Sequence, residues 1–204
     1  MGFVSRFLHV VENRFSVVKK HFEELCRRIG GRVHEDETVV QCIKHTHYIA
    51  DLEDYVEDFY SFVDHWKNMI TKPIQIVFEN RLLGGWSEES AITYNPDDDE
   101  FSIYVGAYSE YGLEPREVQA IKGIEIEKQL DFPELGVSAY GEGDVDQNPA
   151  TDEFVGVGEA NISIPRTRVS GHKLKEVFRK LIDFAYDLAE KALEEKIEPS
   201  PELD

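Results

Sequence analysis

The sequence predicts an α+β fold: a single domain over residues 1–196, built on a mostly antiparallel sheet of about five or six strands. Long N- and C-terminal amphipathic helices and one or two internal helices pack with that sheet. Three observations predict this. Apolar residues recur at spacings of 3 and 4 near both ends of the chain, which is the helical period. Between them, short segments rich in β-branched and aromatic residues alternate with polar ones. No internal repeat or long linker divides the 204 residues, a length that fits one large domain.

The elements follow in order. Over 3–29, Val4, Phe7, Val11, Phe15, Val18, Phe22, Leu25 and Ile29 form one apolar stripe, widened by Leu8, Val10, Val17 and Cys26. Gly30 and Gly31 end it. "ETVVQCIKHTHY" (37–48) reads as a strand. Asp51 is placed to cap a helix over 52–70, whose core stripe is Leu52, Val56, Phe59, Val63, Trp66 and Ile70. Strands are expected at 74–80, 90–95 and 100–108, the last two joined by the acidic turn "PDDD". Residues 114–130 read as a helix with Gly123 interrupting it. Two more strands, 135–143 and 153–164, flank the loop "DVDQNPATD". The last helix opens at Ser170 and repeats Leu174, Phe178, Leu181, Ala185, Leu188 and Ala192 in a heptad-like seam. Residues 197–204 are expected to be a disordered tail.

Composition narrows the class. Apolar residues make up 41% of the chain, with 12 Phe and 9 Tyr, enough for a core and far from the disordered class. No apolar run is long enough to span a membrane, and the charged N-terminus does not read as a signal peptide. Cys26 and Cys42 each fall in an apolar pattern and are expected to be reduced, which points to a cytoplasmic protein. Few Asn and Gln with abundant Glu lean towards a thermophile.

The formal net charge of −19 disfavours nucleic acid and anionic membrane as partners of the whole molecule. The charge is uneven. Residues 1–32 carry +4, residues 33–165 carry −22, and residues 166–204 carry −1.

Three constellations could carry chemistry. The segment 45–66, "HTHYIADLEDYVEDFYSFVDHW", holds three histidines and six carboxylates. His45 and His47 share one face of a strand, and Asp54, Asp58 and His65 share one face of the following helix. Were those faces to meet, the five side chains could hold Zn²⁺ or another transition metal; otherwise no cofactor is expected. No HExxH or paired CxxC spacing supports the metal. "DVDQNPATDE" (144–153) resembles an EF-hand loop at its first positions but has Pro149 where glycine is required and Val155 where the bidentate glutamate belongs. Finally, "RTRVSGHKLKEVFRK" (166–180) gathers Arg166, Arg168, Ser170, Gly171, Lys173 and Lys175 about a helix N-terminus. That arrangement suits a phosphate or other anion, or else neutralises the acidic middle of the chain.

No nucleophile–base pair stands out, since Cys42 and His45 differ in strand parity. The reading that follows is a non-enzymatic binding or assembly protein acting through protein–protein interaction, with itself as one candidate partner. A metal-dependent enzyme built on His45, His47 and the 51–65 helix is the first alternative, and a phosphate or nucleic-acid binder using 166–180 the second.

Overall fold

The computed structural model describes residues 3–82 and 85–201, with side chains from residue 15 onward. Its first element, α1 (Phe3–Ile29), matches the predicted helix. Val18, Phe22, Leu25, Cys26 and Ile29 are buried; Val4, Phe7, Leu8, Val10 and Val11 lie outside the described side chains. Gly30, at φ 82°, ends the helix in the left-handed conformation glycine tolerates best. A hairpin follows, β1 (Arg32–Glu35) and β2 (Val40–His45). Asp36 closes its turn by accepting from the Thr38 and Val39 backbone N–H groups.

A one-turn 3₁₀ helix (Ile49–Leu52) leads into α2 (Glu53–Trp66). Asp51 does not cap α2 as expected. Leu52 holds the cap position without a side-chain bond, and the Asp51 carboxylate instead accepts from the Thr46 hydroxyl at 3.2 Å. Then come β3 (Ile74–Arg81), β4 (Ser87–Asn95) and β5 (Glu100–Tyr108).

Residues 114–130 depart from expectation. They form a 3₁₀ turn (Pro115–Glu117), β6 (Val118–Ile121) and β7 (Ile126–Phe132), not a helix. Val118, Ile121 and Ile124 imitate helical spacing, but Ile121 and Ile124 are exposed. The true period over 126–132 is two, with Ile126 and Phe132 buried and Glu127, Gln129 and Asp131 exposed. After β8 (Val137–Gln147) and β9 (Phe154–Pro165) the chain enters α3 (Gly171–Lys196). The start of the expected disordered tail is also ordered: β10 (Ile197–Pro199) pairs with β6.

Eight strands form one sheet in the order β1-β2-β3-β4-β5-β9-β8-β7. This exceeds the predicted five or six by β1, a four-residue strand with little buried surface, and by β7, which lies within the segment expected as a helix. Every pairing is antiparallel except β2–β3, which are parallel and joined through α2. One face of the sheet carries a continuous buried row, Cys42–Ile76–Ile92–Ile103–Ile162, each residue the direct partner of the next. The helices pack on this face: α1 against β1 and β2, α3 across β5, β9 and β8, with α2 touching both helices.

The apolar seam of α3 is used up within the chain. All six of its predicted seam residues are buried, together with Val177, Ile182 and Ala189. It therefore leaves no stripe for a helical bundle with a second copy. Among the described residues, no helix is long and apolar enough to cross a membrane.

Cys26 and Cys42, expected as thiols, are joined in a disulfide with Cα atoms 5.5 Å apart. The bond ties the last turns of α1 to the centre of β2. Each residue looks like an ordinary core cysteine in its own element; only the packing of α1 on β2 brings the two sulfurs together.

Candidate functional site

The histidine–carboxylate constellation is dispersed. Strand parity turns His45 towards the open face of the sheet, opposite the helix-covered face that holds Val40 and Cys42. There its Nδ1 lies 3.0 Å from Oε2 of Glu79 on the neighbouring strand. His47 is exposed in the turn after β2, while Asp54, Asp58 and His65 are exposed on α2, which packs on the covered face. His65 stands edge-on to Trp66 at 4.7 Å between ring centroids. The structure does not bring the five together. Among the described residues, no group of three or more His, Cys, Asp or Glu side chains is placed to hold a metal ion.

The basic segment is ordered differently from the expectation of a free anion site. Arg166 donates to both carboxylate oxygens of Asp99, at 2.7 and 3.1 Å, and to Asp64 at 3.2 Å. Asp99 also accepts from the Tyr94 hydroxyl at 2.9 Å. The guanidinium holds the Asp99 carboxyl below its ordinary range, and burial followed by the Asp99 hydrogen bond pushes Tyr94 up to about 12. Arg168 donates to the carbonyls of Leu135 and Gly136. Ser170 caps α3, accepting from the Lys173 N–H at 3.3 Å. Gly171 packs beneath the Tyr60 ring. Lys173 pairs with Glu134 at 2.7 Å and Glu176 at 2.9 Å, and Lys175 lies 3.7 Å from Glu53, which Arg179 also holds. These cations meet carboxylates contributed by α2, the β4–β5 turn and the β7–β8 turn. Asp99, the last aspartate of the "PDDD" tip, becomes the central acceptor of this clamp. Asp144, first residue of the EF-hand-like stretch, accepts from Lys196 at 2.6 Å.

What sequence reasoning missed is the open face of the sheet. Glu79, Glu89, Gly106, Glu159, Glu142 and Glu127 are consecutive direct partners across β3, β4, β5, β9, β8 and β7. At the usual strand spacing this row is about 24 Å long. His45 extends it on β2. Glu79 has His45 and Arg81 as cationic neighbours. Among the described residues, Glu89, Glu159, Glu142 and Glu127 have no Lys, Arg or His within ion-pair distance. Like charges directly opposite one another across a sheet destabilise it, by some tenths of a kcal/mol per pair.

Tyrosines interleave with the carboxylates. The Tyr104 hydroxyl lies over Gly106, where a Cβ would sit 2.8 Å from it. Burial, then the charges of Glu159 and Glu89, push Tyr104 up to about 12. A hydrogen bond to Glu127 does the same for Tyr140. Tyr108 stacks on Trp86 with centroids 5.0 Å apart. At the β7–β8 end the face opens into a cleft of about 530 Å³, lined by Glu125, Glu127, Glu142, Asp144, Asp146 and Glu159 with Lys196 at its side.

Glu89 shows the electrostatic cost. Burial, then the charge of Glu79, raises its carboxyl above the ordinary value. A group raised in the folded state stabilises the fold while protonated, and that contribution is lost as pH rises from the unfolded value through the folded one. The ionised Glu89 therefore opposes folding at neutral pH. Glu89→Gln is expected to raise the urea midpoint at pH 7 and to leave it unchanged below about pH 4. A midpoint at pH 7 that fails to rise would contradict the assigned repulsion.

A single signal in the sequence hinted at this face: alternation along each strand sends these glutamates outward. Their alignment into one row depends on the register of strands up to 80 residues apart. No protein-family model matches the sequence, and no curated protein matches it as a relative.

Proposed function

We propose that this chain is a non-enzymatic binding protein that acts through protein–protein interaction, with the open sheet face as its working surface and a Lys- or Arg-rich protein segment as its partner. One observation carries the reading. The face holds a row of five glutamates in cross-strand register, with Gly106 between Glu89 and Glu159, and four of the five have no cationic neighbour among the described residues. Such a row lowers stability on its own, and a basic partner would offset the repulsion while being steered to the surface by its field. The tyrosines beside it supply apolar area with a polar tip, as interface aromatics do.

The test is titration of an oligoarginine peptide at low and at physiological salt. Glu142→Gln with Glu159→Gln is expected to weaken binding roughly threefold to tenfold. Asp54→Asn with Asp58→Asn, which removes the same charge from the exposed side of α2, is expected to leave it near the wild-type value. Equal weakening by both pairs would mean that only net charge is sensed, and the reading would fall.

The other readings have less support. A metal-dependent enzyme would need His45 and the α2 stripe on the same side of the sheet. A phosphate or nucleic-acid site at 166–180 would need cations that are instead bonded to carboxylates and carbonyls. Self-association through the terminal helices loses the α3 seam, whose apolar residues are buried within the chain; sedimentation as a monomer across micromolar concentrations would remove it. A cytoplasmic location, expected from reduced cysteines, fits a bonded pair best in a hyperthermophile, where intracellular disulfides are common.

A further inference from the structure

The corner between α1 and α2 carries a second, unrelated feature. His21, Glu24 and Arg28 share one face of the end of α1 at helical spacing, with Arg27 beside them. Phe62 and Trp66, one turn apart, face them from the end of α2. Together these six residues line an open cleft of about 530 Å³, within the range of small-ligand sites. The His21 ring stacks on Trp66 at 4.8 Å and 20°, and Phe62 lies 6.5 Å from Trp66. The aromatic wall is anchored, because Phe62 also packs on the buried Phe22 at 5.7 Å.

The cations here differ from those on α3. Among the described residues, Arg27 and Arg28 have no carboxylate, carbonyl or ring partner, and neither have Lys20 and Arg32 on either side in the chain. In a protein of net charge −19, where Arg166, Lys173, Lys175 and Arg179 all find acceptors, two adjacent guanidinium groups with no partner among the described residues, at an aromatic cleft, are unusual. The negative end of the α1 dipole accounts for a preference for Arg there. It does not account for the half-buried aromatic wall opposite. The one carboxylate in the cleft, Glu24, is turned to His21, with Nδ1 and Oε2 3.3 Å apart.

We infer that this cleft binds a small organic anion, with its phosphate or carboxylate on Arg27 and Arg28 and its apolar or aromatic part against Phe62 and Trp66. Guanidinium forks suit such oxyanions, and a flat apolar body suits the aromatic wall. The inference does not depend on the acidic sheet face.

The chain has two tryptophans, so a Trp86→Phe background leaves Trp66 as the sole indole reporter. Titration with phenyl phosphate is expected to change Trp66 fluorescence saturably. Inorganic phosphate and phenol should each bind at least about tenfold more weakly, because each offers half of the recognition. Arg27→Gln with Arg28→Gln should raise the phenyl phosphate Kd at least about tenfold while lowering the melting temperature by only a few degrees, owing to the loss of two favourable charges at the end of α1. Glu142→Gln with Glu159→Gln should leave it unchanged. Absence of a saturable response, equal affinity for inorganic phosphate, or an unaltered Kd in the double arginine variant would each overturn the assignment.

Discussion

Gly158→Ala is expected to cost about 3 kcal/mol or more of folding stability, the upper end of what overpacking does. A Cβ at Gly158 would sit 1.9 Å from the carbonyl oxygen of Ala185 and 2.7 Å from the amide nitrogen of Ala189. Both obstacles are backbone atoms of α3, so no side chain can rotate away. The helix must lift off the sheet, or β9 must bend. Either movement opens the close contact where Gly156 and Gly158 on β9 meet Ala185 and Ala189 on α3. Protein interiors pack near crystal density and do not absorb such a displacement. With total stability on the order of 5–15 kcal/mol, the loss is a large fraction of the whole. Urea unfolding checks it through a lower midpoint at constant slope. Gly123→Ala is the control: nothing lies within 4 Å of its Cβ position, and the change should stay within about 0.5 kcal/mol. Comparable midpoints for the two variants would mean that α3 does not rest on β9 as described.

Removal of the Cys26–Cys42 bond ranks next. The link closes a loop with a sequence separation of 16, for which the chain-entropy account gives about 3 kcal/mol. Cys26→Ser with Cys42→Ser should lower stability by about that amount, plus a cost for placing hydroxyls at positions that are 1% and 0% exposed. Reduction of the folded protein should be slow, because a thiol must reach a buried sulfur. The direct check is intact mass of protein denatured without reductant, which should be lighter than the reduced chain by two hydrogens. Titratable thiols in that sample would refute the bond, and with it the expectation of a stability loss.

The helices were legible because each buries one side against a neighbour, and burial on one side of a helix writes a period of 3.6 into the chain. Val18, Phe22, Leu25 and Ile29 on α1, Val56, Phe59 and Val63 on α2, and the whole α3 stripe are buried as that period requires. Most strands were legible from alternation. The segment 114–130 failed because Val118, Ile121 and Ile124 sit at threefold spacing while two of them face solvent. Apolar spacing reports a buried face only where the apolar residues are in fact buried.

The candidate sites fared less well, for a related reason. The strongest local concentrations of charge, 45–66 and 166–180, were conspicuous because they are contiguous in sequence. The fold sends His45 to one side of the sheet and α2 to the other, and closes the basic segment on Glu53, Asp64, Asp99 and Glu134 from elsewhere in the chain. The features that remain open, the glutamate row and the arginine–aromatic cleft, are assembled from residues that look unremarkable one at a time.

Taken alone, the sequence determined the class of fold, the three long helices and most strands with their alternation. These depend on local periodicity, a property of neighbouring residues. Only the tertiary structure decided which strand lies beside which, that five outward glutamates fall in one line, that two core cysteines meet, and which cations are already neutralised. Those outcomes depend on register and on packing between distant segments, where side chains far apart in the chain are set at contact distance and the energy is decided by which partners they find.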